Sequence, residues 1–252
     1  MSESVHEDRQ IRDGGGTTSA VRSRAPHVPS ADSAAWQRVQ LARHPERPYT
    51  LDYVRLIFDD FVELHGDRLF AEDPALIGGP AELEGRTVML IGQQKGRDTK
   101  ENTLRRFGMA RLGTTSVAVV IGEGGSGGAI AIGLADRVLM LENAVYSVAA
   151  PEAAASILWR DVSRAPQAAE TMRITAQDLL GFDLIDGIVP EPPGGAQTDR
   201  LAAAAAVKAA LLEQLGTLDG SYGRGPALDV PRLLADRFER YRRIGVYEGD
   251  GG

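Results

Sequence analysis

The sequence predicts an α/β fold. Three observations carry this. Short apolar runs alternate with stretches of helical periodicity from residue 51 onward. Two of these runs, 87–91 and 116–121, are apolar almost throughout, as strands covered on both faces are. A glycine-rich turn then follows the second run and leads into a run of small residues suited to close helix packing.

The elements follow in order. Residues 1–33 are rich in Ser, Gly, Arg, Asp and Glu, lack apolar periodicity and read as a disordered tail. Residues 34–252 are read as one folded domain, with order beginning near Trp36. Residues 51–64 place Tyr53, Ile57, Phe58, Phe61 and Leu64 at helical spacing, with Gly66 as a C-cap. Residues 76–83 and 86–92 read as a hairpin turning at Glu84-Gly85, its second strand buried. Residues 94–100 form a charged loop and 103–109 a helix. A strand over 116–121 precedes the glycine turn, and a short helix over 129–134 follows it. Strands are expected at 137–141, 145–148 and 184–189, and helices at 151–159, 167–172 and 175–180. Long amphipathic helices are expected over 201–215 and 231–243.

Composition narrows the function. The formal charge of −7 argues against nucleic acid or an anionic membrane as partner. The start of the chain lacks the apolar core of a secretory signal, and no apolar run approaches a membrane span; a cytoplasmic protein is expected. Cysteine is absent, which removes disulfides, thiolate metal sites and thiol nucleophiles. The four histidines, His6, His27, His44 and His65, are not spaced as metal ligands, so no metal is expected.

The chemistry therefore falls to the stretch Ile121-Gly122-Glu123-Gly124-Gly125-Ser126-Gly127-Gly128-Ala129. Three functional readings compete with a plain tight turn. Gly122, Gly124 and Gly127 satisfy the dinucleotide fingerprint, and Glu142 lies where such a fold places its ribose acid, but the following helix is too short for a Rossmann crossover. The second reading takes Ser126 between Gly124 and Gly128 as a nucleophile elbow, but no histidine follows it in the chain to serve as base. The third reading is an oxyanion hole. Backbone N–H groups of Gly127, Gly128 or Ala129 at a helix start would stabilise an enolate or a urea oxygen, with no side chain taking part.

The longer motifs identify a resemblance. RHPERPYTLDY (43–53), HGD (65–67), IGG (77–79), GQQKGRDTKEN (92–102), VIGEGGSGGAIAIG (120–133), DRVLMLENAVYS (136–147) and IVPEPPGGA (188–196) resemble the carboxyltransferase α-subunit family of bacterial acetyl-CoA carboxylase. The resemblance implies a crotonase-like (Clp/crotonase) superhelix of ββα units, internally shortened here. It implies an α2β2 assembly with a β subunit, and transfer of a carboxyl group from carboxybiotin on a biotin carboxyl carrier protein to acetyl-CoA, giving malonyl-CoA. It implies Gly127 and Gly128 as the oxyanion hole for the biotin ureido oxygen, with Ala129 beside them and Gly124 and Gly125 in the binding segment. It also raises Lys95, Arg97 and Lys100 as partners of CoA phosphates or the carrier, against their reading as a solvated loop.

The chain departs from the family between Met109 and Ser116. Members carry several tens of residues there, including a strand and a loop reading like IDTPGAYPG; here Ala110–Thr115 bridge the gap, spanning at most about 20 Å. A shortened working enzyme and a non-catalytic assembly or regulatory paralogue are both compatible with this, as is an artefact of the gene. His44, Arg47 and Tyr49 read as structural, stiffened by Pro45 and Pro48. Glu123 reads as a partner contact or helix cap, and Trp36 and Trp159 as core or interface.

Overall fold

The computed structural model describes residues 33–65, 76–93, 111–125 and 133–245. Helix α1 (Ala34–Ala42) starts at Ser33, whose hydroxyl accepts from the Trp36 amide. Helix α2 (Thr50–Ile57) starts at Tyr49, where the Asp52 carboxylate returns to the Tyr49 amide at 2.9 Å. The hairpin forms as the sequence indicates. Strands β1 (Leu76–Leu83) and β2 (Arg86–Gln93) pair antiparallel around Glu84 and Gly85, both at positive φ, as a primed hairpin turn requires.

Two expectations fail in this region. The helix expected over 51–64 ends at Ile57. Phe58 is extended (φ −109°, ψ 146°), and the amides of Asp59, Val62 and Leu64 donate to the β1 carbonyls of Glu82, Pro80 and Gly78. Residues 59–64 thus run along β1, bridged to it at Asp59–Glu82 and turned at Asp60, whose φ is 48°. Aromatic and β-branched residues at 58, 61 and 62 suit a strand as well as a helix, and pairing with β1 decides between them. Gly79 shows how close the two backbones come: a Cβ there would stand 1.9 Å from the Val62 carbonyl oxygen. The second failure is β2, which is covered on one face only. Met89 and Ile91 are each 63% exposed and share their face with exposed Val62 and Leu64.

The second sheet is parallel, in the order β3 (Val117–Val120), β5 (Arg137–Leu141), β7 (Gly187–Val189). A further parallel pair joins β4 (Glu123–Gly125) to β6 (Val145–Ser147). The expected strand over 184–189 is thus confined to its last three residues. Around these lie α3 (Pro151–Trp159), α4 (Ala165–Met172) and α5 (Ala176–Gly181). Two longer helices, α6 (Arg200–Tyr222) and α7 (Val230–Arg242), follow. The main core gathers Met140, Leu141, Val138, Val189, Leu83 and Ile57, and Val88 of β2 packs against it alongside Val117 and Val119 of β3. A second cluster forms around Val39, Val145, Ala169 and Ile174.

Helix α6 is not the amphipathic helix expected. Ala203, Ala204, Val207, Leu215 and Leu218 are buried, while Leu201 and Leu212 sit exposed on its other side. It is long and apolar enough, by length and composition, to cross a membrane; in this fold its alanine face packs on the core. The helix expected over 103–109, most of that over 129–134, the Gly66 cap and the tail over 1–32 lie outside the described residues.

Candidate functional site

Strands β4 and β6 run parallel and in register, Gly124 opposite Tyr146 and Gly125 opposite Ser147. Both therefore end on the same side, and the glycine segment leaves from the carboxyl end of the pair. Ligands of α/β folds bind at such ends. Sequence reading placed Gly124 and Gly125 in a loop; they form strand instead. Gly124 is buried, and Gly125 is exposed, with the Ser147 carbonyl oxygen 4.0 Å from where its Cβ would stand. Ser126, Gly127, Gly128 and Ala129, and the charged residues Lys95, Arg97 and Lys100, lie outside the described residues.

Two charged clusters anchor the surroundings of this segment, and a third holds the chain that leads into β3. Arg43, at the end of α1, donates from Nε to Glu123 Oε2 (2.9 Å) and from Nη2 to Glu123 Oε1 (2.6 Å). Its Nη1 donates to Glu152 Oε1 (2.6 Å). The strand leading into the glycine turn is thus tied to the first turn of α3. Hydrogen bonding to Glu123 is the largest cause that raises the Arg43 guanidinium pKa, and Arg43 in turn holds the Glu152 carboxyl below its usual value. The group is about one third exposed, so solvent screens much of this attraction. Glu123 thus lies in β4 and pairs with Arg43 rather than capping a helix.

Arg47 is buried. Its Nε donates to the Ile121 carbonyl (2.7 Å), just before the turn, and its two terminal nitrogens donate to Glu191 (2.9 and 2.6 Å). Glu191 also accepts from the amides of Asn143 (2.9 Å) and Ala196 (2.7 Å). Burial alone would raise the Glu191 carboxyl; the hydrogen bonds from Arg47 and the Asn143 amide outweigh it and hold the pKa down. Motifs 43–53 and 188–196 thus meet at Ile121, just before the glycine segment. His44 plays a local part, its Nδ1 accepting from the Glu46 amide.

The third cluster secures the described part of the short bridge, residues 111–115. Arg237 of α7 donates to both oxygens of buried Asp136 (2.7 and 2.9 Å) and to the carbonyls of Leu112 (2.8 Å) and Thr114 (3.0 Å). Asp136 accepts in turn from the Ser116 amide (2.7 Å). Sequence reading missed Arg43, Glu191 and this pair as a group. The motif matches at 43, 136 and 191 were the signal, but their partners lie far away in the chain. Glu142, the acid a dinucleotide fold would aim at a ribose, instead accepts from the Glu191 amide (3.3 Å). Trp159 carries the Arg164 guanidinium over its ring, 4.2 Å from the centroid.

Comparison with known proteins decides the family. A family profile described as acetyl co-enzyme A carboxylase carboxyltransferase-like matches residues 27–114 and 109–245. The chain belongs to this family. It is 44% identical to the acetyl-coenzyme A carboxylase carboxyl transferase subunit alpha of a Thermus thermophilus strain. That alignment of 266 positions covers 84% of this chain and 83% of the relative. It is also 44% identical to the subunit of that name from Deinococcus radiodurans, over 273 positions covering 87% and 84%. Both alignments are longer than the 252 residues of this chain, so the relatives carry residues without counterpart here. The two profile matches meet at 109–114, which is where the sequence is shortened relative to the family. Among solved structures, the β subunit of P. aeruginosa geranyl-CoA carboxylase superposes with a TM-score of 0.52 at 13% identity, covering 84% of this chain and 47% of that one. That likeness establishes the crotonase-like fold.

Proposed function

We propose that this chain is the α component of a carboxyltransferase that moves a carboxyl group from carboxybiotin, borne on a carrier protein, to acetyl-CoA. A β subunit supplies the other half of the active centre, in an α2β2 assembly. Family membership supports the reaction class, and the observation that carries the site is the exposed carboxyl end of the β4–β6 pair, from which the glycine segment departs.

The chemistry asks little of side chains. Carboxybiotin supplies the carboxyl group and, once that group has left, a base for the acetyl methyl. The backbone amides of Gly127, Gly128 and Ala129 donate to the ureido oxygen as negative charge gathers on it. Dipoles fixed before the reaction stabilise that charge without reorganising. Gly124 and Gly125 present backbone without side-chain bulk, and Gly125 is exposed at the end of its strand. Lys95, Arg97 and Lys100 pair with phosphates of CoA or with acidic groups of the carrier.

The test is carboxyl transfer from malonyl-CoA to biocytin by the chain co-purified with its β subunit. Gly128→Val is expected to abolish turnover, a loss of at least about 100-fold for a blocked oxyanion donor, with assembly intact. Turnover retained in that variant removes the segment from the mechanism. One observation favours a second reading, an assembly subunit without catalysis: the family match breaks at 109–114. A folded, assembled wild-type complex that turns over no substrate establishes that reading.

A further inference from the structure

The two ends of the glycine segment meet on one side chain. Tyr146 stands opposite Gly124 in the β4–β6 pair, and its amide donates to the Ile174 carbonyl (3.0 Å), fixing its backbone. A Cβ built on Gly124 would stand 2.7 Å from Tyr146 Cδ2 and 3.3 Å from Val120 Cγ1, so the ring and the Gly124 backbone pack without space between them. Nine residues later, a Cβ on Gly133 would stand 2.7 Å from the Tyr146 hydroxyl oxygen. The Gly133 backbone hydrogen-bonds that phenol, whose pKa is raised by burial and lowered in part by this contact. The Gly133 carbonyl faces the hydroxyl of Tyr241 on α7, which also reaches the Ala135 carbonyl at 2.8 Å. Packing against Gly124 needs only a ring. The hydroxyl's contact with Gly133 is one that phenylalanine could not make.

We infer that Tyr146 is a positioning residue for carboxyl transfer: its ring seats the chain at Gly124, where the glycine segment begins, and its hydroxyl seats it at Gly133, where the segment ends. A rigid phenol thus sets the span that the intervening residues must bridge. The inference rests on the proposed oxyanion role of Gly127 and Gly128. Donors of that kind work only when held within about half an ångström of the productive geometry. Slack at one end of the segment therefore reaches kcat more than substrate binding.

The experiment uses Tyr146→Phe in the complex with the β subunit, measured on malonyl-CoA and biocytin, with amide hydrogen exchange recorded on the same samples. The expected result is a kcat lowered about tenfold, the loss of one hydrogen bond, with KM for malonyl-CoA within about twofold and the complex intact. Exchange should rise across 125–133 and stay unchanged across β5. Wild-type kcat or wild-type exchange in 125–133 overturns the inference. Comparison with Gly128→Val separates the two readings. A fully active Tyr146→Phe beside a dead Gly128→Val sinks the positioning role alone, whereas an active Gly128→Val sinks the oxyanion reading on which it rests.

Discussion

Removing the Glu191 carboxylate tests how the two distant motifs support the site. Arg47 and Glu191 side chains are 2% and 0% exposed, so solvent does not screen them. Glu191→Ala would leave a buried guanidinium without its counter-charge, which costs about 3–5 kcal/mol. The amides of Asn143 and Ala196 would lose their acceptor too, at roughly 1–3 kcal/mol each where water does not reach. Against a total stability of about 5–15 kcal/mol, such a loss unfolds the chain or lowers its urea midpoint by about 1 M or more. Glu191→Gln keeps the shape and loses less. Adding Arg47→Met to it recovers part of that loss, because the orphaned charge is gone. The pH dependence has a definite sign. The folded carboxyl is held below its ordinary value, so its contribution is present above the unfolded carboxylate pKa of about 4.3 and is lost as pH falls through the folded value. The difference in midpoint between wild type and Glu191→Gln should therefore be full at pH 7 and shrink below about pH 4. A Glu191→Ala stability within about 1 kcal/mol of wild type at pH 7 would refute the argument, since it would mean that Arg47 is already solvated.

Two further outcomes follow from the same structure. The Tyr53 hydroxyl is buried without a hydrogen-bond partner among the described residues, and burial pushes its pKa up to about 12. Tyr53→Phe should leave urea stability unchanged or raise it by up to about 1 kcal/mol; a loss of more than that would reveal a partner for the hydroxyl. Met89→Lys and Ile91→Lys, on the exposed face of β2, should shift the stability of the isolated chain by no more than about 0.5 kcal/mol, and a larger loss would show that this face is covered.

The sequence was most legible where local chemistry decides structure. Glu84-Gly85 specified the hairpin and Pro151 the start of α3. It was least legible where a distant partner decides. Residues 58–64 carry a pattern that fits helix or strand, and only the carbonyls of Pro80 and Gly78 settle it. The apolar content of β2 gives no sign of which face lacks cover. The structural role of 43–49 was readable from its two prolines, but the partners of Arg43 lie 80 and 109 positions away and that of Arg47 lies 144 away. At the site, glycine content marked the segment while concealing that Gly124 and Gly125 belong to a strand whose neighbour, Tyr146, supplies the close packing.

The shortened bridge over 110–115 bears on how the site survives. Among the described residues β2 and β3 lie in different sheets, so no ladder joins the hairpin to the parallel strands. Continuity comes from packing instead, with Val88 of β2 and Val117 and Val119 of β3 against the same core. The bridge itself is held by Arg237, which takes the carbonyls of Leu112 and Thr114, and by Asp136, which takes the Ser116 amide and neutralises Arg237. The groups anchoring the described glycine segment come from elsewhere: Arg43 and Arg47 precede the bridge, while Tyr146, Glu152, Glu191 and Tyr241 follow it. Shortening the chain at 110–115 therefore alters the flank of the parallel sheet while leaving in place the contacts that aim β4, and a Glu191 or Tyr146 variant should disturb the segment more than the bridge does.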